Sequence, residues 1–277
     1  MMKLSIITIN FNNAKGLQKT IESVVCQTFT DFEYIVIDGG STDGSVDIIK
    51  QYSDKIAYWI SEQDNGIYNA MNKGIWQAKG EYLNFMNSGD MLYSPTVLTE
   101  VFEKYNFTES VITGNRIEVL WNKTKRVGNG ITALRNGKIS LFGLLDDTIH
   151  HQCSFIKHNM FEKYGLYNEN YAIVSDWIFF LQIIGIYGEK INYIKDIIAI
   201  FNYDGISNRE EEKLNAERMR AINEFVPKPI LNDYESYQSL KKRIKYIFKY
   251  KFTLYLAKFV NKTIRMPKKP FKVLKKK

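Results

Sequence analysis

Two apolar runs in this chain end in small residues and carboxylates: Ile35-Val36-Ile37-Asp38-Gly39-Gly40-Ser41-Thr42-Asp43, and Tyr82-Leu83-Asn84-Phe85-Met86-Asn87-Ser88-Gly89-Asp90. A strand that ends this way delivers acidic side chains to the carboxyl edge of a sheet, where open α/β folds bind ligands. Asp38 can accept hydrogen bonds from a nucleotide base or a ribose hydroxyl, while Gly39 and Gly40 let a ligand approach the backbone. The competing use of this turn is helix capping by Ser41 or Asp43. Asn87-Ser88-Gly89-Asp90 can seat a hard divalent cation, Mg2+ or Mn2+, between a carboxylate and substrate phosphates. A plain acidic turn is the alternative there. Asp176, in Val174-Ser175-Asp176-Trp177, is either the N-cap of the apolar helix that follows or a general base. His150 and His151 precede Gln152 and lie in no apolar run, which alone suits surface or hydrogen-bonded core histidines.

Positioning those residues requires alternating strands and helices over the first ninety residues, the pattern of a mostly parallel sheet with helical crossovers. Residues 4–9 read as a strand. Leu17, Ile21, Val24 and Val25 then fall on one helical face, and a second strand follows at residues 34–37. A helix carrying Val46, Ile48 and Ile49, a strand near residues 56–60, a polar loop over 61–66, a helix over 67–78 and a strand over 81–86 continue the alternation. Beyond Asp90 the pattern weakens. Helices are expected at 95–105, 175–185 and 209–225, strands at 111–112, 117–120 and 191–194, and a loop-rich excursion at 123–140. Residues 227–237 are expected to separate the body from a basic tail.

The chain has 277 residues and is 45% apolar, enough for a full core. Its net charge of +8 is unevenly spread. Residues 241–277 hold 15 Lys or Arg and no Asp or Glu, which leaves 23 basic against 30 acidic residues before them. The body is therefore near −7 and the tail near +15. Ile244, Ile247, Phe248, Phe252, Leu256, Phe259 and Val260 interleave with those lysines, as on an amphipathic helix at an anionic membrane surface. A solvated basic tail and nucleic-acid binding are the other readings; the membrane surface is preferred, with no nucleic-acid partner. Cys26 and Cys153 have neither the number nor the spacing of a disulfide framework, which favours a reducing compartment. The N-terminus runs straight into a strand, so a cytoplasmic protein, peripheral on the inner membrane, is expected.

Taken in order, the motifs resemble the family 2 glycosyltransferases of the GT-A fold, particularly those building bacterial capsule, O-antigen and exopolysaccharide repeat units. The likeness rests on residues 5–12, Gln27-Thr28-Phe29, residues 37–44, the run from Ser61 to Gly74, Asn87-Ser88-Gly89-Asp90, His151-Gln152, Ser175-Asp176-Trp177 and, more loosely, Gly205-Ile206-Ser207. It implies a GT-A catalytic domain over 1–225, with a nucleotide-sugar half to about 90 and an acceptor half after it, and a linker plus membrane-associating tail over 226–277. It implies that Asp38 contacts the base, that Phe11 is the aromatic beside it, and that Asp64 is an acidic position near the nucleotide. Thr8, Asn10, Lys73 and Ser88 complete the expected donor-binding set. Asp90 matches the last aspartate of the metal motif, His151 a further pyrophosphate or metal contact, and Asp176 the catalytic base. Asn87 and Gly89 stand where many relatives carry aspartates, so the metal site is reduced. The Gln-x-x-Arg-Trp signature of processive synthases is absent, which implies transfer of one sugar per acceptor. The expected reaction is inverting transfer from a nucleotide-diphosphate sugar to a hydroxyl of a lipid-linked glycan. The other classes compatible with the residues are a sugar nucleotidyltransferase and a noncatalytic nucleotide-sugar or nucleic-acid binding protein.

Overall fold

The computed structural model describes residues 2–119, 125–129, 134–135, 138–202, 210–249 and 251–264. Residues 123–124, 130–133 and 136–137 of the 123–140 excursion, Gly205-Ile206-Ser207 and the tail beyond 264 lie outside the described residues. The chain divides into two compact units, Met1–Phe225 and Val226–Lys277.

In the first unit the elements run β1 (Leu4–Asn10), α1 (Ala14–Val25), β2 (Phe32–Asp38), α2 (Ser45–Gln51), β3 (Tyr58–Ser61), α3 (Ile67–Gln77), β4 (Tyr82–Phe85), β5 (Met91–Leu92), α4 (Val97–Lys104), β6 (Val111–Val119) and β7 (Lys125–Asn129). A short hairpin of β8 (Leu134–Arg135) and β9 (Lys138–Ile139) follows, then α5 (Leu141–Asp146), a 3-10 turn at His151–Cys153, β10 (Ser154–Lys157) and α6 (Asn159–Tyr164). Next come α7 (Ser175–Phe180), continued by a π-helical turn Leu181–Ile186, then β11 (Ile191–Asn202) and α8 (Glu211–Phe225).

The main sheet has the order β3-β2-β1-β4-β10-β6-β11-β5, with β7 also on β6. β10, β5 and β7 run against the other six strands. β1 lies between β2 and β4 and is buried along its whole length, which is why Leu4, Ile6, Ile7 and Ile9 can be apolar on both faces. Leu17, Ile21 and Val24 of α1 pack into a core with Leu4, Ile6, Tyr34 and Val36. Truncating one such side chain, Ile21→Ala, removes about 2–5 kcal/mol.

Two features of this sheet place chemistry at one edge. The parallel register pairs Asn10 with Asp38 and Asp38 with Ser61, so three strand ends meet at a single point. β10 enters antiparallel beside β4, so its amino end lies at the carboxyl edge of the parallel strands and brings the His151–Cys153 turn with it. β10 has no counterpart in the sequence-based reading. The two strands expected at 111–112 and 117–120 are one continuous β6, and the strand expected at 191–194 extends to 202 as β11.

The second unit contains α9 (Lys228–Lys249) and α10 (Lys251–Ile264). The segment expected as a linker over 227–237 is therefore mostly helical. Pro227 precedes the helix and Pro229 lies in its first turn, where a missing N–H costs no intrahelical bond. No residue of α9 is buried, and Ile244, Ile247 and Phe248, with Tyr255, Leu256, Phe259 and Val260 of α10, are exposed. Among the described residues no helix is long and apolar enough to cross a membrane.

Candidate active site

At the β1/β2 end the site is built around Asp38. Its Oδ1 accepts Asn10 Nδ2 at 2.7 Å and Ser41 Oγ at 2.6 Å, and its Oδ2 accepts Ser41 N at 2.9 Å and Ser61 Oγ at 2.6 Å. The carboxylate is fully buried. Burial works to raise its pKa, but the hydrogen bonds from Ser41, Ser61 and Asn10 prevail and leave it below the usual carboxylate range. Both oxygens of Asp38, the residue expected to contact the base, are thus taken up in tying Asn10, Ser41 and Ser61 together. Asn10 Oδ1 is buried with no hydrogen-bond partner among the described residues.

Asn12 takes a left-handed backbone conformation (φ 48°), receives Thr42 N on Oδ1 and donates its own N to Ser41 Oγ. That turn leaves Phe11 66% exposed, an unusual position for so large an apolar ring in a packed domain. Gly39 lies beside it. A Cβ there would stand 3.0 Å from Asp64 Oδ2 and 3.3 Å from Phe11 Cδ2, so a side chain at this position would displace them by a few tenths of an ångström. Lys73 bridges Asp64 at 2.6 Å and Glu62 at 2.7 Å, which fixes the 61–66 loop. Asp43 serves as the structural tie foreseen for this turn: it accepts Ser45 N and Oγ at the start of α2 and Ala14 N at the start of α1.

Thr8 is a correction. Its side chain faces the protein interior, with Oγ1 donating to Met86 O at 2.7 Å and lying 3.0 Å from Tyr34 Oη. It shares a face with Asn10 but sits two residues inside the sheet edge, covered by neighbouring strands, and cannot reach a donor.

The β4 end forms the second part. Gly89 has φ +106°, which allows the Asn87–Asp90 turn to close, with Asp90 N donating to Asn87 O. Ser88 is tied through its Oγ and carbonyl to Asn13 Nδ2, the side chain that caps α1. Asn87 Nδ2 lies 3.2 Å from His151 Nε2, while Asn87 Oδ1 is buried without a partner. The charge of Asp90 also acts on His151. Among the described residues no three His, Cys, Asp or Glu side chains converge as a metal cage. The Asp90 carboxylate and the Asn87 amide oxygen nonetheless suit a hard cation that completes its shell with phosphate oxygens and water. His151, expected as a further metal contact, has both ring nitrogens engaged, by Asn87 and Asp176.

Asp176 supplies the third part. It lies in the first turn of α7, whose N-cap is Val174, and its carboxylate does not cap the helix. Oδ2 instead lies 2.9 Å from His151 Nδ1, and Oδ1 accepts Tyr68 Oη at 2.8 Å. The tautomer with its proton on Nδ1 satisfies both His151 contacts, since Nε2 then accepts from Asn87. Burial tends to raise the Asp176 pKa. The hydrogen bond and charge of His151, with the Tyr68 hydroxyl, outweigh it and hold the carboxyl low. For His151 burial acts downward, but Asp176 and then Asp90 draw its pKa above the ordinary value. Tyr68 is shifted far upward by burial first and by the Asp176 charge second. Asp176 remains 16% exposed, so it is ionised at neutral pH and within reach of solvent or a substrate hydroxyl.

Tyr68 and Ser61 had no individual role in the sequence-based reading, and Ser41 was read there only as a candidate helix cap. Ser61 could have been found only by aligning β2 with β3, and Tyr68 only from the helical spacing that turns Tyr68 and Asn72 of α3 toward residues 167–176.

A sheet of this order with its acidic groups at the carboxyl edge defines a GT-A glycosyltransferase fold. A family model described as Glycosyl transferase family 2 matches residues 5–165, and the chain belongs to that family. A glycosyltransferase of Mycobacterium tuberculosis is 31% identical over 212 residues, covering 75% of this chain and 78% of its own. A PGL/p-HBAD biosynthesis glycosyltransferase of Mycobacterium bovis is 28% identical over 221 residues, 78% of this chain and 83% of that one. Among solved structures, S. aureus TarS 1–349 in complex with UDP superposes with TM-score 0.61 at 18% identity, over 80% of this chain and 64% of that chain. A mannosyltransferase of Pyrobaculum calidifontis in complex with GDP-Man and Mn2+ gives TM-score 0.58 at 15% identity, over 78% of this chain and 61% of the other. This chain is accordingly a glycosyltransferase, which sets aside the nucleotidyltransferase and noncatalytic alternatives.

Proposed function

We propose that the chain transfers a single sugar from a nucleotide-diphosphate sugar to an acceptor hydroxyl, with inversion at the anomeric carbon. The observation that carries this reading is Asp176. It is a carboxylate kept ionised by His151 and Tyr68, beside the Asn87–Asp90 turn and on the same sheet edge as the Asp38 loop. In this reading Phe11 stacks on the base, and Asn10, with the loop that Asp38 orders, receives the nucleoside. Lys73 holds Asp64 against Gly39 beside it, and Ser88 lines the turn toward the diphosphate. Asp176 takes the proton of the attacking hydroxyl, each of its oxygens having a lone pair beyond the one already engaged. Asp90 and Asn87 Oδ1 would hold a divalent cation, Mg2+ or Mn2+, while His151 orients the Asn87 amide. When bound, it offsets the negative charge that builds on the leaving nucleoside diphosphate.

A lipid-linked glycan in surface polysaccharide biosynthesis is the acceptor that best accounts for the second unit. Basic residues near an anionic surface contribute about 1 kcal/mol each, and α9 carries Lys241, Lys242, Arg243, Lys245 and Lys249 beside exposed Ile244, Ile247 and Phe248. Such a surface would keep the enzyme at the cytoplasmic face of the inner membrane, next to its acceptor. Replacing Lys241, Lys242, Arg243 and Lys245 by Ser should release the chain from phosphatidylglycerol-containing vesicles in flotation; undiminished flotation would remove the tail from this reading.

The donor site is tested by thermal shift with UDP, GDP, CDP and dTDP, with and without Mn2+. One nucleotide should raise Tm by mass action, more so with the cation. No shift with any of the four would contradict the donor assignment.

A further inference from the structure

Residues 165–174, which lead into Asp176, form no helix or strand, yet they carry the group whose placement the reaction depends on most. An irregular segment of this kind wanders unless it is tied down. One side is tied by α3: Asn72 pairs with both the N and O of Tyr167, Asn69 and Asn72 hold Glu169, and the single proton of Tyr68 Oη is shared between Ile173 O and Asp176 Oδ1. The other side is tied by α8. Glu217 accepts Ala172 N on Oε1 and Ile173 N on Oε2, both at 2.9 Å. Arg220 donates to Asn170 O at 2.7 Å and covers the Tyr171 ring at 3.9 Å, while Tyr171 Oη donates to Glu224. Arg218 lies 4.8 Å over Trp177, the residue after Asp176.

A carboxylate that takes two successive backbone N–H groups, one on each oxygen, makes two charge-assisted hydrogen bonds whose geometry fixes the chain direction. Glu217 makes them three and four residues before Asp176, and α8 lies beyond the residues 5–165 that match the family model. We infer that Glu217 is a positioning residue for Asp176, and that α8 is a clamp which sets the base against the acceptor hydroxyl while leaving the nucleotide end of the site untouched. This inference rests on Asp176 being the base.

The test compares Glu217→Ala, Glu217→Gln and Asp176→Asn in the full chain. The probe is the nucleotide sugar whose nucleotide raises Tm in the panel above, with water as acceptor and nucleoside diphosphate release as the readout. Glu217→Ala should lower turnover about 10- to 100-fold, the scale of a misplaced catalytic group. Nucleotide affinity should stay within about twofold, since uniform binding is not what is lost. Glu217→Gln keeps one carbonyl acceptor and should recover part of the loss. Amide exchange should quicken in residues 168–180 and stay unchanged in residues 35–45. Unchanged turnover, unchanged exchange at 168–180, or an equal fall in affinity and turnover would each overturn the clamp. If Asp176→Asn retains turnover, the base assignment itself fails; if it is inactive while Glu217→Ala is fully active, only the clamp fails.

Discussion

Asp38 and Asp176 are both low-pKa carboxylates, the first fully buried and the second partly exposed, and the groups that hold them differ. Asp38 is held by an amide, two serine hydroxyls and a backbone N–H, none of which titrates in the physiological range. Asp176 is held by an imidazole, which can exchange protons, and by a phenol whose pKa is driven far upward so that it stays a donor. Four neutral donors make Asp38 a fixed negative post around which a loop is ordered. The histidine gives Asp176 a partner that can share a proton it takes up, as proton transfer requires. In the proposed reading the two ends of the site divide the work: one shapes the pocket for the donor, the other handles the acceptor's proton.

That division can be broken most forcefully at Asp176. Asp176→Asn keeps the size of the side chain and removes the base, so turnover should fall about 10²- to 10⁴-fold, measured as nucleoside diphosphate release. Near-wild-type turnover would end the comparison. Asp38→Asn should act on stability instead. Placing an amide N–H among donors leaves buried groups unsatisfied, at a cost of about 1–3 kcal/mol, seen as a lower Tm of the free protein. Tyr68→Phe sharpens the contrast at Asp176, since it removes one hydrogen bond from the base without touching the donor loop. A hydrogen bond to a charged group accounts for about tenfold in rate, and donor affinity should not change.

The smallest effect is expected at Glu189, a carboxylate remote from both. Lys163 first, then Ser110 and Tyr164, hold its pKa down to about 2. Because the folded value is depressed, Glu189 contributes stability above the ordinary glutamate pKa, and that contribution disappears as pH falls toward 2. Lys163 is exposed, so solvent screens much of the interaction. Glu189→Gln should lower Tm slightly at pH 7, converge with the parent chain near pH 2 and leave turnover unchanged. A loss of turnover there would mean that any hydrogen-bonded carboxylate matters, and the comparison would lose its content.

The parallel half of the fold was legible because each element carries a local signal. β1 is uniformly apolar, α1 shows Leu17, Ile21 and Val24 at helical spacing, and the strand ends finish in glycine and aspartate. At Asp38, Asp90 and Asp176 the residue types pointed to a candidate site, while its geometry was not legible. Asn10, Asp38 and Ser61 become neighbours through strand register, which no local pattern encodes. His151 reaches Asp176 because the four-residue β10 enters antiparallel, and a strand that short has too little alternation to read. Thr8 entered the expected donor-binding set through the resemblance, and its burial against Met86 O and Tyr34 is visible only in the structure. The helical start of α9 was hidden by prolines that read as a linker but fall where a helix tolerates them.

The division of labour is tested most directly by the nucleotide-induced rise in Tm, measured side by side on Asp38→Asn and Asp176→Asn, each against its own nucleotide-free Tm. The account predicts that Asp38→Asn loses the rise and Asp176→Asn keeps it in full. A rise that survives in Asp38→Asn and vanishes in Asp176→Asn would contradict it.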